Sequence, residues 1–324
     1  MSGLPICLHS WIGACFSEYT GKIIGKDDFI SLWTRKVGNT EKSLKTAEEK
    51  WGLLVSFAGR SAKIVSMDIL RQILGRKQPP AEFCYREIGL SWPIISTIHA
   101  SKGREAEEVC LLLPGNPGPD SDFDEESRVI YVGATRAKSR LHIGSGFIRL
   151  FSKRLPKSGR AFTLDNRENS PRAHVEIGRD GDIAARGVAG PACYSSPEII
   201  RKNQKLLKSL AGKITPAFAV SDHTTGHIYR LKAGDHPEGT EICCLSESLN
   251  ADLFDVGREI QVAIGGKNRR TPDELKYLRI YGIRSLVLPP DSPECGRLFE
   301  PWSESGIMLA PVILGYPKAF FRYY

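Results

Sequence analysis

The chain has 324 residues, of which 41% are hydrophobic and 25% charged, and its formal net charge at pH 7 is +8. This composition is typical of soluble globular proteins and excludes the collagen-like, disulfide-scaffold and wholly disordered classes. At roughly 150 residues per domain, the length predicts about two domains. The positive charge gives moderate support to a polyanionic partner such as nucleic acid, with an ordinary basic protein as the equal alternative.

No stretch approaches about 18 consecutive apolar residues, so neither a membrane-spanning helix nor a membrane partner is predicted. The amino-terminal stretch lacks an early Lys or Arg and is interpreted as mature protein, not as a signal peptide. The eight cysteines form no CxxC pair, which argues against a zinc finger. They favour a reducing compartment, and a cytoplasmic location is expected.

Residues 1–91 are predicted to be mostly helical. Apolar side chains recur at helical spacing from Leu44 to Ala58, which predicts a helix over 42–59. A second helix is expected over 67–74, with Ser66 as its amino-terminal cap. The prolines that follow would end this helical region.

Residues 92–149 have the pattern of the end of an α/β domain. Short strands are predicted at 93–98 and 109–113, and an acidic loop rich in Gly and Pro follows them. A helix is then expected over 125–137, and a strand over 139–144 closes the segment. The basic loop after it predicts a domain boundary.

Residues 150–324 are predicted to form an α+β module of no recognisable type. Ser196 and Pro197 predict the start of a helix that ends near Gly212. A second helix is expected at Thr271-Pro272-Asp273-Glu274, which has the letters of a capping box. Short strands are predicted at 172–178, 241–245, 284–289 and 307–314.

Two motifs within residues 92–149 carry the functional argument. At 97–105 the chain has TIHASKGRE, a turn of small and polar residues, and at 125–137 it has EESRVIYVGATRA, a helix that projects an arginine near its end. A turn of the first kind can present polar groups at a sheet edge, and an arginine fork suits phosphate oxygens. Either motif alone could equally be a loop or a solvated helix face.

Together, in this order, they resemble motifs V and VI of the UvrD/Rep/PcrA-like DNA helicases of superfamily 1. In that family the motifs are close to TIHxSKGLE and EERRLxYVAxTRA. The resemblance covers residues 92–146, and residues 40–91 resemble the preceding part of the second RecA-like domain only loosely. It implies an α/β fold in the middle of the chain: a partial RecA-like domain, the second motor domain of a P-loop NTPase.

The resemblance also implies roles for single residues. Glu105 matches the carboxylate that bonds the ribose of the nucleotide, and Gly103 lets the backbone turn beside it. Arg136 matches the arginine that reaches the γ-phosphate and stabilises charge in the transition state. Thr97 and His99 match positions near bound single-stranded DNA.

Three side chains of the second motif, Glu126, Arg128 and Tyr131, match helix positions that brace the arginine. For Tyr131, simple core packing is favoured over direct contact. Lys102, in the first motif, is interpreted as either a phosphate contact or a solvated lysine.

The chain departs from the family in two ways. Arg104 and Ala106 replace the usual Leu and Phe around the ribose carboxylate, which puts nucleotide affinity in question. No Gly-Lys pair lies in a GxxxxGK[ST] phosphate loop (Walker A), and the metal-binding Asp-Glu (Walker B) is missing. Asp273-Glu274 has the right letters but is interpreted as the start of a helix.

The sequence therefore predicts one wall of a site for ATP with Mg²⁺, and no cofactor is expected on the isolated chain. Three explanations stay open: a fragment, a subunit completed by a chain carrying the phosphate loop, and a degenerate homologue. The presence of both Glu105 and Arg136 favours the first two. The expected function is the carboxyl-terminal motor half of a UvrD-like ATP-dependent DNA helicase or translocase that acts on single-stranded DNA. The alternative is a non-catalytic module of helicase descent that binds nucleic acid or protein.

Other features favour structural interpretations. The basic run Lys267–Arg270 and the terminal aromatics suit single-stranded nucleic acid, but a solvated loop and packed aromatic side chains are favoured. His223 and His227 are four apart, yet the Thr-Thr-Gly between them argues against a helical metal site. Cys243-Cys244 is interpreted as a buried strand pair.

Overall fold

A computed structural model describes residues 7–38, 40–85, 97–113, 123–145, 159–165, 171–222, 228–234, 239–264 and 268–322. The chain forms two compact units. Residues 1–89 and 155–324 make up one, here called the main unit, and residues 90–154 make up the other, called the inserted unit. The predicted segments 1–91 and 150–324 therefore share one unit, whereas the segment 92–149 lies in the inserted unit.

The first part of the main unit is mostly helical. Its elements are α1 (Ser10–Phe16), β1 (Ile23–Gly25), α2 (Lys26–Lys36), α3 (Glu41–Ala58), β2 (Gly59–Ser61), β3 (Ile64–Ser66) and α4 (Met67–Leu74). The helix predicted over 42–59 is confirmed as α3, and the Thr40 hydroxyl caps it by accepting from the Ser43 amide at 3.2 Å. The helix over 67–74 is confirmed with its cap at Ser66. The sheet of order β1-β3-β2 was not predicted, because three-residue strands show no periodicity.

Arg71 on α4 shows why the two segments of the main unit belong together. Its side chain is buried, and Nε donates to the carbonyl oxygen of Leu288 at 3.0 Å while Nη1 donates to that of Glu304 at 2.8 Å. Val287 and Ile307 complete the apolar core of the first segment. Partners this distant in sequence leave no local pattern, so periodicity could not reveal the shared core.

The inserted unit is built around a βαβ arrangement. A 3₁₀ turn (His99–Ser101) precedes β4 (Ala106–Leu113), α5 (Phe123–Ala134) and β5 (Ala137–Ser145), and the two strands pair in parallel. The strand at 109–113, the helix and the strand at 139–144 are thereby confirmed. The predicted strand at 93–98 is not: residues 93–96 lie outside the described residues, and Thr97 and Ile98 lead into the 3₁₀ turn.

The second part of the main unit mixes helices and antiparallel strands. Its elements are β6 (Ala161–Asp165), β7 (Arg172–Val175), α6 (Ala185–Ala189), α7 (Pro197–Leu210), β8 (Thr215–Asp222), β9 (Ile228–Ala233), β10 (Thr240–Cys244), α8 (Glu247–Ile264), β11 (Glu274–Val287), a 3₁₀ turn (Cys295–Arg297), α9 (Trp302–Ser305), β12 (Ile307–Leu314) and β13 (Lys318–Phe320). A five-stranded sheet has the order β10-β9-β8-β11-β12, and a three-stranded sheet has the order β13-β7-β6. The helix predicted from Ser196 is confirmed as α7.

The helix predicted at Thr271–Glu274 is wrong. Glu274 begins β11, a 14-residue strand that pairs with β8 on one side and β12 on the other. Leu275, Leu278 and Ile280 are buried in the core of that sheet. The burial of this segment between two strands outweighs its capping-box sequence, because such a sequence begins a helix only where tertiary packing allows one.

A buried ion cluster that sequence reasoning missed stabilises the second part of the main unit. Arg160 is 3% exposed and donates from Nη1 to Asp182 Oδ2 and from Nη2 to Asp182 Oδ1, both at 3.0 Å. Its Nε donates to Asp252 Oδ2 at 2.8 Å.

No helix in the described part of the chain is long and apolar enough to cross a membrane.

Candidate nucleotide and DNA site

The first motif forms a compact turn ahead of β4. The Ser101 amide donates to the carbonyl oxygen of Thr97 at 3.1 Å, and the Arg104 amide donates to that of Ser101 at 3.0 Å. Gly103 has a φ of +83°, in the left-handed region that favours glycine, so the turn needs this residue. The side chains of Thr97, His99 and Lys102 are exposed on this turn, as a surface for a ligand requires.

Arg136 lies just beyond the last turn of α5, before β5 begins. Its Nε donates to the carbonyl oxygen of Val132 at 2.9 Å, and Nη2 donates to Thr135 Oγ1 at 3.2 Å. Its Nη1 reaches the carbonyl oxygen of Arg104 at 3.5 Å, which is long for a hydrogen bond. The guanidinium thus has one firm anchor at the helix end and weaker contacts at its two terminal nitrogens.

The parallel register brings the two motifs to the same end of the strands. The Ala106 amide donates to the carbonyl oxygen of Arg136 at 3.0 Å, and Ala106 is opposite Ala137 in the ladder. Glu105 therefore lies next to the Arg136 backbone, and its Oε2 is 3.6 Å from Lys138 Nζ. Both partners of this ion pair are more than half exposed, so the pair is weak and a ligand could replace it.

Gly133 lets α5 pack closely on the strand and on the turn. A side-chain carbon at this position would lie 2.9 Å from Leu111 Cδ1 and 3.2 Å from Ile98 Cγ1. Leu111 is the buried residue of β4. The glycine therefore sets the distance between α5, which precedes Arg136, and the turn that carries the first motif.

The predicted brace of the arginine is not what the structure shows. Tyr131 is 70% exposed, so the core-packing interpretation is wrong. Within the described residues, the hydrogen bonds of the Arg136 side chain go to Val132, Thr135 and Arg104, and none comes from Glu126 or Arg128. A backbone brace leaves no pattern of side chains, which is why the sequence did not indicate it.

The remaining predicted features are structural or lie outside the described residues. Arg269 is buried, so the solvated-loop interpretation is wrong at this residue, whereas Arg270 is exposed. Phe321 is buried, as expected for a packed aromatic side chain, and the guanidinium carbon of Arg172 lies 4.1 Å from the centre of the Phe320 ring. The Cys243-Cys244 prediction is confirmed, because both are fully buried in β10. Lying outside the described residues are Lys267, Tyr323, Tyr324, His223 and His227. Among those described, no group of three or more His, Cys, Asp or Glu could hold a metal ion.

Comparison with known proteins agrees with these motifs. Residues 94–143 match the UvrD-like helicase C-terminal domain family. The ATP-dependent DNA helicase srs2 of Schizosaccharomyces pombe is 35% identical over 120 residues, which cover 32% of this chain and 13% of that protein. No solved structure matches the chain. The stretch that holds the two motifs is therefore similar to the carboxyl-terminal part of UvrD/Rep/PcrA-like helicases.

Proposed function

We propose that the inserted unit is the carboxyl-terminal part of an ATP-dependent DNA helicase or translocase motor. In this role it supplies a ribose carboxylate and an arginine finger to a nucleotide whose phosphates are held elsewhere. The observation that carries the proposal is the β4–β5 register, which places Glu105 and Arg136 side by side at one end of the strands. The parallel βαβ connection also supports a partial RecA-like fold.

The hydrogen bonds of Arg136 suit an arginine finger. Its Nε bond to Val132 anchors the side chain, while the contacts of Nη1 and Nη2 are long or made to a hydroxyl group. Phosphate oxygens can replace those two contacts without loss of the anchor, because a planar fork binds a phosphate through both terminal nitrogens. Positive charge would then face the oxygens on which negative charge develops during phosphoryl transfer.

The residues present fit half of a site for ATP with Mg²⁺. Glu105 can accept hydrogen bonds from ribose hydroxyls, and Arg136 can reach a terminal phosphate. The described residues offer no cluster of metal-binding side chains. The β- and γ-phosphates and the metal ion would therefore be held by a Walker A and Walker B chain or segment, which is the partner we propose.

Single-stranded DNA is the proposed second ligand. Thr97, His99 and Lys102 share the exposed turn that leads to Glu105, so a strand bound there would be coupled to the nucleotide through a few residues of backbone. The net charge of +8 favours a polyanion. All eight cysteines are free, which supports the cytoplasmic location proposed from their spacing.

The alternative function is a non-catalytic binding module, and one observation favours it. The inserted unit interrupts a larger unit whose two segments share a core, so the helicase-like part could act as an appendage of another domain.

Phosphate release should be measured for the purified full chain, alone and mixed with a chain carrying the phosphate loop, each with and without single-stranded DNA.

The motor proposal predicts turnover only in the mixture, with stimulation by DNA. The binding-module function predicts no turnover in any of the samples, with or without the added chain and with or without DNA. Robust DNA-stimulated turnover by the chain alone would contradict both, because it requires a phosphate cradle that neither assigns to this chain.

A further inference from the structure

The main unit contains a cavity that has no role in the proposed motor function. Its volume is about 640 Å³, which is within the range of small-molecule sites. The loop after α6, one face of α7 and the strands β9 and β10 form its walls. Pro191, Tyr194 and Ile199 contribute apolar surface, whereas Lys202, Asn203 and Arg230 contribute hydrogen-bond donors.

Asn203 is the residue that indicates a ligand. It is 6% exposed, lines the cavity, and its buried Nδ2 has no hydrogen-bond partner in the described part of the chain. The hydroxyl group of the neighbouring Tyr194 donates to the carbonyl oxygen of Ile242 at 2.9 Å. The side-chain amide of Asn203 forms no hydrogen bond of normal geometry with this hydroxyl group. A buried donor without a partner is costly, so an acceptor brought in by a ligand would satisfy it.

Two cationic side chains and one carboxylate, Glu241, line the cavity. Arg230 is tied to Glu241 and Asp222, in each case at 2.8 Å, so these acidic groups already neutralise it. Those bonds use Nε and Nη1, and no bond to Nη2 is found among the described residues. Lys202 is exposed at the same wall and adds a positive charge. The lining therefore carries one net positive charge, which favours an anion over a cation.

We propose that this cavity binds a small organic oxyanion, either a carboxylate or a phosphate ester with an apolar body. The oxyanion would accept from Asn203 Nδ2, and Lys202, which forms no ion pair among the described residues, would balance its charge. The apolar body would lie against Pro191, Tyr194 and Ile199. This geometry assigns the main unit a ligand site of its own, independent of the proposed motor function.

Titration calorimetry of the full chain tests the proposal with three probes that share one ring: benzoate, phenyl phosphate and neutral benzyl alcohol. We expect at least one anion to bind in the millimolar range, as suits so small a ligand, and to bind at least about tenfold more tightly than benzyl alcohol. The preferred anion identifies the head group. Absence of binding by both anions, or equal binding of the alcohol, would overturn the proposal.

Variants connect the binding to these residues. Asn203→Leu and Lys202→Gln should each weaken binding of the preferred anion about tenfold, the usual effect of losing one charge-assisted hydrogen bond. Lys205→Gln removes an exposed lysine of the same helix outside the cavity and should change nothing. Asn203→Asp keeps the shape of the side chain and is the second variant, for use if Asn203→Leu does not fold. It should abolish anion binding, because it replaces the amide donor with a negative charge. Equal losses in the Lys202 and Lys205 variants, or full binding by the Asn203 variants, would contradict the site.

Discussion

Arg136 and Glu105 are 31 positions apart in sequence and are brought together by the parallel pairing of β4 with β5. The Ala106 amide donates to the Arg136 carbonyl oxygen, so Glu105 and Arg136 each lie one residue before the first pair of the parallel ladder. A ligand can replace the Glu105 ion pair and the contacts of the two terminal nitrogens of Arg136, while the Nε bond to Val132 stays as an anchor. At this scale the proposed function makes separate predictions for nucleotide and for DNA.

Glu105→Ala should act mainly on nucleotide affinity. In the mixture with a phosphate-loop chain, we expect binding of a labelled ATP analogue to weaken about tenfold, because a hydrogen bond to a charged group contributes about 1.5–3 kcal/mol. Glu107→Ala removes a nearby exposed carboxylate and is the matched control. Equal affinities for the Glu105 variant and the parent chain would remove Glu105 from the nucleotide site.

Lys102→Ala should reduce the salt dependence of binding to single-stranded DNA. Each lost phosphate contact lowers the slope of log affinity against log salt by about 0.7 for a single strand. Fluorescence anisotropy with a labelled oligonucleotide across a salt series measures the slope. Lys63→Ala, an exposed lysine of the main unit, should leave it unchanged. A slope unaffected at Lys102 would favour a solvated lysine there.

At the scale of elements, the packing of α5 on β4 sets the geometry of the site. The helix approaches Leu111 and Ile98 only because residue 133 lacks a side chain. A larger residue must displace either α5 or the side chains of Leu111 and Ile98, and Arg136 moves with the helix end that anchors it if α5 shifts. Gly52, on the exposed side of α3, has no atom within 4 Å of an added carbon, so it offers the same change without the steric cost.

Gly133→Leu should destabilise the inserted unit by about 1–3 kcal/mol, the usual cost of overpacking. Gly52→Leu should stabilise α3 slightly, because Leu is the better helix former. Hydrogen exchange followed by mass spectrometry reports each unit separately. Unchanged protection of β4 and α5 in the Gly133 variant would show that the close packing is not required.

The sequence predicted elements well where local signals agree with burial. Periodicity and caps predicted α3, α4 and α7, and the apolar pattern predicted α5 between two strands. Two of the failures have the same physical cause, namely partners that are distant in sequence. The helix predicted at Thr271 does not form, because β11 begins at Glu274 and pairs with β8. The predicted burial of Tyr131 is wrong because exposure depends on which elements cover α5. The cavity lined by Asn203 is formed by three separate stretches of chain, so no spacing could indicate it.

At the scale of the whole molecule, the main unit is a single fold made from two distant segments. Arg71 links them, since its guanidinium donates hydrogen bonds to the carbonyl oxygens of Leu288, Pro289 and Glu304. The Ser285 hydroxyl group adds a second link, because it donates to the His9 carbonyl and accepts from the Gly13 amide, each at 2.7 Å. The two segments should therefore unfold together.

Arg71→Leu should destabilise the main unit by about 2–4 kcal/mol, because several buried hydrogen bonds from a charged group are lost. Hydrogen exchange should become faster in α4 and in β12 alike. Arg76→Leu changes an exposed arginine beyond the same helix and should stay within about 0.5 kcal/mol of the parent chain. Faster exchange confined to α4 would mean that the segments are separate folding units.

The most direct test of the motor proposal is ATP turnover by the full chain mixed with a chain carrying the phosphate loop, with and without Arg136. An arginine finger accelerates phosphoryl transfer by about 10³–10⁵, so Arg136→Ala should lower turnover by that order. Arg136→Lys should restore little, because a point charge does not replace the planar fork. Arg140→Ala, which removes an exposed arginine paired with Glu108 at 2.8 Å, is the control and should leave turnover unchanged. Equal turnover with and without the Arg136 guanidinium would contradict the account and favour the binding module.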